Sequence, residues 1–200
     1  MNHRFARLLA VAALSLTTSA FAAVGPGAAA PDFSAQASQA GKTISFSLAE
    51  ALKSGPVVVY FYPSAYTGGC DIEAHTFATE AAKFAAAGAT IVGVSADSIQ
   101  RLNSFSADPN YCAGKFPVAS DPDGKIAASY DLELSAAVAN AKDVRGDVID
   151  HGFIPRTTFV IGRDGKVAAV FSSELDHLHP QDHVSKSLTI VQQMKNAKAP

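Results

Sequence analysis

Residues 57–70 read Val-Val-Val-Tyr-Phe-Tyr-Pro-Ser-Ala-Tyr-Thr-Gly-Gly-Cys. The opening Val57–Tyr62 run is almost wholly apolar and rich in β-branched and aromatic side chains, the pattern of a strand covered on both faces in a mainly parallel sheet. Pro63 ends it, since proline has no N–H to give to the next ladder bond. From Cys70 to about Ala87 the apolar positions Phe77, Ala81, Phe84 and Ala85 recur at helical spacing, and Gly88 stands where a C-cap glycine would. The stretch is a strand, a loop and a helix, with Cys70 at the mouth of the helix.

The theme repeats downstream, where Thr90–Ser95 reads as a strand and Ser98–Phe105 as a helix started by Asp97 or Ser98. Phe116–Ala119 is a further strand, followed by the turn Asp121-Pro122-Asp123-Gly124 and a short helix at Lys125–Tyr130. Asp131–Gly152 is polar, Ala-rich and poorly periodic, and reads as a long connection. Thr157–Ile161 and Lys166–Phe171 flank Arg163-Asp164-Gly165, a hairpin signal that sets an antiparallel pair beside the parallel strands. A last helix over Pro180–Lys195 carries Val184, Leu188, Val191 and Met194 on one face. Upstream, Thr43–Leu48 alternates apolar and polar residues as a half-buried strand does. Such alternation of strands and helices predicts an α/β fold with a central mixed β-sheet.

Two hundred residues, 48% hydrophobic and 17% charged, can fill one sizeable core. A formal charge of −2 leaves no basic excess to neutralise a phosphate backbone, which argues against nucleic acid as a partner. Two cysteines are too few for a disulfide-stapled miniature fold or a four-thiolate zinc site. At the N-terminus Arg4 and Arg7 precede the apolar run Leu8–Leu16, and Ala20-Phe21-Ala22 supplies a small-x-small cleavage pattern. This predicts a signal peptide over residues 1–22, too short for a membrane span, and export to the periplasm with no membrane association of the mature chain. Loss of Arg4 and Arg7 takes the charge from −2 to −4. A flexible N-terminal segment is expected over residues 23–41, beginning with the Ala/Gly/Pro stretch Ala23–Pro31, and the folded domain over 42–200.

Cys70 draws its chemistry from its position. At a helix N-terminus the unpaired amides and the macrodipole favour the thiolate, which predicts a depressed thiol pKa. In open α/β sheets the carboxyl ends of the strands also form the ligand crevice. Pro63, Thr67 and Cys70 resemble the peroxiredoxin signature of a Pro, three residues, a Thr, two residues and the peroxide-attacking Cys. Glu73 stands where that family often has a glutamate, and Arg156 before Thr157-Thr158-Phe159 resembles the family's arginine leading into a late strand. Ala30-Pro31-Asp32-Phe33 and Phe116–Lys125 extend the likeness over most of the chain, within which the peroxiredoxin Q, or bacterioferritin-comigratory, class is the most similar. The resemblance implies a thioredoxin-like fold with helices on both faces of the sheet. It also implies a peroxidase that reduces hydrogen peroxide and small organic hydroperoxides with electrons from a thioredoxin-like or other thiol reductant, without cofactor or metal.

The same resemblance gives the matched residues their roles. Cys70 attacks the peroxide, and Arg156 stabilises the thiolate and the negative oxygen that leaves. Thr67 hydrogen-bonds the sulfur and the peroxide, Pro63 covers the thiolate, and Gly68-Gly69 lets backbone approach and the first helical turn unwind. Glu73, read from its place on the helix, complements the helix dipole. The class often has a resolving Cys five residues after the first, but here that position is His75. Cys112, in a loop-like stretch after the second helix, remains the candidate for an intramolecular redox disulfide with Cys70. A one-cysteine cycle reduced by an external thiol and a non-enzymatic thiol switch are the alternatives. His177, His179 and His183 beside Asp176 and Asp182 are irregularly spaced and read as a solvated loop and helix start rather than a metal site.

Overall fold

The computed structural model describes residues 24–197, so the expected signal peptide lies outside the described residues. Seven strands form one sheet in the order β2-β1-β5-β4-β3-β6-β7. They are β1 (Ser34–Gln39), β2 (Lys42–Ser47), β3 (Val57–Phe61), β4 (Thr90–Ser95), β5 (Val118–Ser120), β6 (Thr157–Ile161) and β7 (Val167–Ser172). Five helices accompany them: α1 (Leu48–Ser54), α2 (Gly68–Ala86), α3 (Ile99–Ala107), α4 (Lys125–Ser129) and α5 (Pro180–Asn196). Strands β3, β4 and β5 run parallel, while β6 and β7 add the antiparallel hairpin expected around Arg163-Asp164-Gly165. The result is the mixed, thioredoxin-like sheet expected from the sequence.

Strand β3 lies at the heart of the sheet, and all of its residues are buried. Its side chains alternate between two cores, as the pleat requires. Val58, Tyr60 and Tyr62 face the side covered by α2, α3 and α5, where Phe77, Phe84, Leu102, Phe105 and Val184 pack. Val57, Val59 and Phe61 face the opposite side, with Leu48 from α1 and Ala127 from α4. On α5, Val184 and Val191 are buried and Leu188 and Met194 pack beside them, the face expected from their spacing.

The expected flexible segment over 23–41 is corrected by β1, which lies inside the sheet between β2 and β5 with Ala37 and Ser38 fully buried. Its sequence, Ser-Ala-Gln-Ala-Ser-Gln, has no β-branched or aromatic residue, so propensity gives no sign of it. The small side chains have a packing reason, because α3 lies directly over this strand. Ser38 Oγ and Ser106 Oγ are 2.8 Å apart, and Gly41 N donates to Ser106 Oγ at 2.9 Å. The preceding residues are also tied down, with Gly27 N donating to Val167 O at 2.8 Å and Ala30 N to Gly165 O at 2.9 Å.

Residues 131–152 contain no helix or named strand, as their composition suggests, but they are held in place. Asp143 is the anchor: its Oδ1 accepts from Arg145 N at 2.8 Å and Asp147 N at 3.0 Å. Leu48, the first residue of α1, is 1% exposed in the core. Leu48→Ala is expected to cost about 2–5 kcal/mol, the range for a buried leucine truncated without full collapse of the cavity. Urea denaturation of the mature chain reads this as a lower midpoint at unchanged slope.

Candidate active site

Antiparallel pairing sets Phe61 of β3 against Thr157 of β6. Arg156, the residue before β6, is thereby brought beside the loop that leaves β3. That loop turns at Tyr66 and enters α2 through Thr67, the N-cap, whose backbone is extended (φ −123°, ψ 139°). Cys70 N donates to Thr67 O at 2.8 Å and so stands in the first turn of α2. Its side chain is 2% exposed. Arg156 Nη2 donates to Cys70 Sγ at 3.2 Å, while Nη1 of the same guanidinium pairs with Glu73 Oε2 one turn along α2. Gly69 eases this approach: a Cβ there would stand 3.1 Å from Arg156 Nη2, a tight contact.

The charges are poised against burial. Burial pushes the Cys70 thiol above its ordinary pKa, and the adjacent Arg156 charge pulls it back without cancelling the rise. This runs against the expectation of a depressed thiol: the cysteine is buried, and desolvation of the thiolate outweighs the Arg156 charge and the hydrogen bonds to the sulfur. A donor held against the sulfur in this way can meet negative charge that forms there. Glu73 is fully buried, and burial raises its carboxyl to about 7 against the opposing pull of Arg156. Its Oε1 has no partner among the described residues. Glu73 thus holds Arg156 in place instead of merely complementing the helix dipole at the surface.

Thr67 is placed as expected beside the sulfur: its hydroxyl donates to Ser64 O at 2.8 Å and its side chain also hydrogen-bonds Cys70, which lowers the thiol pKa. Pro63 sits half-buried between β3 and this loop. A thiol, a fixed cation and an oriented hydroxyl converge here, a set suited to attack on an O–O bond.

Residues 26–170 match the model of the AhpC/TSA family. The chain belongs to this family. Among its relatives, a chloroplastic peroxiredoxin Q of Sedum lineare is 31% identical over 178 residues, 88% of this chain and 83% of that protein. The crystal structure of peroxidoxin BcpB from Mycobacterium tuberculosis superposes with a TM-score of 0.70 at 29% identity, over 86% of this chain and 98% of that one. The bacterioferritin comigratory protein of Xanthomonas campestris gives 0.63 at 25% identity, over 82% and 92%. The protein is a thiol-dependent peroxidase of the peroxiredoxin class.

Other residues singled out in the sequence fall elsewhere. Cys112 belongs to the turn between α3 and β5, yet it is fully buried in the same core as Cys70, not in a mobile polar loop. Burial, with Asp108 and Asp71 nearby, pushes its thiol well above the ordinary value. Both cysteines are free thiols. His75, at the alternative resolving position, lies with Nδ1 2.9 Å from Asn110 O in the Cys112 turn. His183 is not solvated as expected: it is buried on α5, with Nδ1 3.0 Å from Thr158 Oγ1 and Nε2 3.0 Å from Ser173 Oγ. Burial, reinforced by the Arg156 charge, lowers it to about 4 and keeps it neutral at physiological pH.

The Glu73–Arg156 pair has a pH signature. With Glu73 raised to about 7, its carboxylate forms only as pH rises through that value and then competes with sulfur for the guanidinium. The rate of Cys70 oxidation by peroxide should therefore show an inflection near pH 7 in the wild type. Glu73→Gln should remove it, which a stopped-flow pH profile reads directly.

Proposed function

We propose that Cys70 is the peroxide-attacking residue and that Arg156, Thr67 and Pro63 complete its site. The observation that carries this reading is the 3.2 Å contact from Arg156 Nη2 to Cys70 Sγ in the first turn of α2. Sulfur, losing its proton, attacks the near oxygen of the peroxide; the O–O bond breaks, and the far oxygen leaves as water or an alcohol after taking up a proton. Arg156 meets the charge that builds during this step, and its guanidinium needs no proton of its own to do so. Thr67 Oγ1 accepts the peroxide O–H and orients the bond for in-line attack. Pro63 limits access without presenting a donor. Hydrogen peroxide and small organic hydroperoxides are the substrates that the family likeness supports.

Attack leaves Cys70 as a sulfenic acid. In the reading favoured here, it condenses with the Cys112 thiol to a disulfide and releases water, and a thioredoxin-like or other external dithiol restores both thiols. Residence of both sulfurs in one core supports Cys112 as partner. A disulfide requires Cα atoms within about 7 Å, and both cysteines are buried, so this reading includes a local opening of the site that lets the sulfurs meet. The Arg4/Arg7, Leu8–Leu16 and Ala20-Phe21-Ala22 pattern supports export to the periplasm with cleavage after Ala22.

Cys70→Ser should abolish peroxide consumption with every thiol donor; activity retained in that variant overturns the assignment. Peptide mapping without reductant after one equivalent of peroxide should recover a Cys70–Cys112 link in a monomer-sized band. Wild-type turnover by Cys112→Ser with equal resistance to over-oxidation would instead establish a one-cysteine cycle. N-terminal sequencing of the chain recovered from a periplasmic extract should begin at Ala23.

A further inference from the structure

The loop between β3 and α2 is held at several of its polar groups. Ser64 Oγ donates to Asp97 Oδ1 at 2.9 Å and Ala65 N to Asp97 Oδ2 at 2.7 Å. Ala65 O accepts from Arg101 Nη2 at 2.9 Å, and Tyr66 O accepts from Val144 N at 2.9 Å. The Tyr66 ring lies beneath Arg145, whose Cζ is 3.3 Å from the ring centroid. Tyr66 holds φ at +59°, a left-handed conformation that a bulky residue keeps only when its surroundings impose it.

These holders come from two separate parts of the chain, the β4–α3 region and the 131–152 segment, and Arg101 joins them. Its Nε forms an ion pair with Asp97, 2.9 Å from Oδ1 but without hydrogen-bond geometry, and its Nη2 donates to Asp143 Oδ2 at 2.8 Å, with both carboxylate side chains fully buried. His151 Nε2, 2.9 Å from Asp97 Oδ1, and Arg145 Nη2, 2.8 Å from Asp143 Oδ2, complete the charge set. Removing the guanidinium would leave two buried carboxylates short of a shared counter-charge, so this junction cannot loosen at one point alone. The grip also reaches the neighbourhood of Cys112. Tyr111, the residue before it, meets the Tyr66 ring edge-on at 5.3 Å and stacks on Phe105 at 5.2 Å.

We propose that Arg101 is a positioning residue for the peroxide reaction. By bridging Asp97 and Asp143 it locks Ser64–Tyr66 in the shape that presents Cys70 to peroxide, and this lock must open before Cys70 can reach Cys112. The inference rests on the roles given above to those two cysteines. Thr67 connects lock and nucleophile, since its hydroxyl is bonded to Ser64 O and its carbonyl to Cys70 N. In the second step the S–OH bond of Cys70 and the S–H bond of Cys112 break, an S–S bond forms and water leaves. No further oxidant is needed. Arg101 therefore acts on the two steps with opposite sign, accelerating the first and retarding the second.

The test uses Arg101→Gln and, at the far side of the bridge, Asp143→Asn, each in the full mature chain. Cys70 oxidation by hydrogen peroxide and the later disulfide formation are timed by rapid quench, alkylation and mass spectrometry, and hydrogen exchange is followed over residues 62–70 of the reduced protein. Both variants should oxidise on the order of tenfold more slowly, within what a small displacement of a reacting atom can cost. They should also exchange faster over 62–70 and form the disulfide faster than wild type. Leu48→Ala serves as the control for plain destabilisation and should leave the ratio of the two rates near wild type. Unchanged rates, or both rates falling together as the melting temperature falls, would overturn the positioning role. Failure of wild type to form a Cys70–Cys112 bond would overturn the Cys112 reading alone, and oxidation rate with loop exchange would still decide whether Arg101 positions the loop.

Discussion

The contact of one guanidinium with both a thiol and a carboxylate sets the requirements for the rest of the site. Arg156 binds Cys70 through Nη2 and Glu73 through Nη1, and its side chain is 10% exposed. For these groups to meet, β6 must run antiparallel beside β3, in the register that pairs Phe61 with Thr157. Gly69, in the first turn of α2, leaves room where the cation passes. Sheet order, register and one missing Cβ thus converge on a single hydrogen bond to sulfur.

Burial makes that bond effective and also makes it costly. Glu73, Asp97 and Asp143 are all buried carboxylates, each with a cation at hand: Arg156 for the first, Arg101 for the other two. Ion pairs of this kind contribute little net stability against a well-packed apolar alternative, yet breaking one partner leaves an uncompensated charge. Their value here lies in geometry. The active loop keeps a strained Tyr66 and a hydrogen-bonded Thr67 because the polar groups around it have partners that fix their direction.

Much of this was legible in the sequence, because the decisive strand is written in its most readable form. Val57–Tyr62 is buried on both faces and says so through composition, and the Pro63, Thr67, Cys70 spacing marks the candidate nucleophile. Strand β1 was hidden because α3 packs over it and demands small residues, which erases the usual β signal. The direction of the Cys70 shift was hidden too: a helix mouth suggests a stabilised thiolate, but how dry the site is depends on tertiary packing. The same holds for Glu73 and His183, whose burial no local pattern announces. Arg101, Asp143 and Arg145 are ordinary charges in sequence, and only the return of the 131–152 segment onto the nucleophile loop gives them work.

The most direct measurement is the second-order rate constant for Cys70 oxidation by hydrogen peroxide in Arg156→Met, set against wild type in the same buffer. Methionine keeps much of the apolar stem and removes the donors. If the contact to sulfur carries the chemistry, the constant falls by about 10²–10³-fold, the range for loss of a donor aimed at developing charge, with the fold intact by circular dichroism. A folded variant that reacts as fast as wild type would contradict the central role of Arg156.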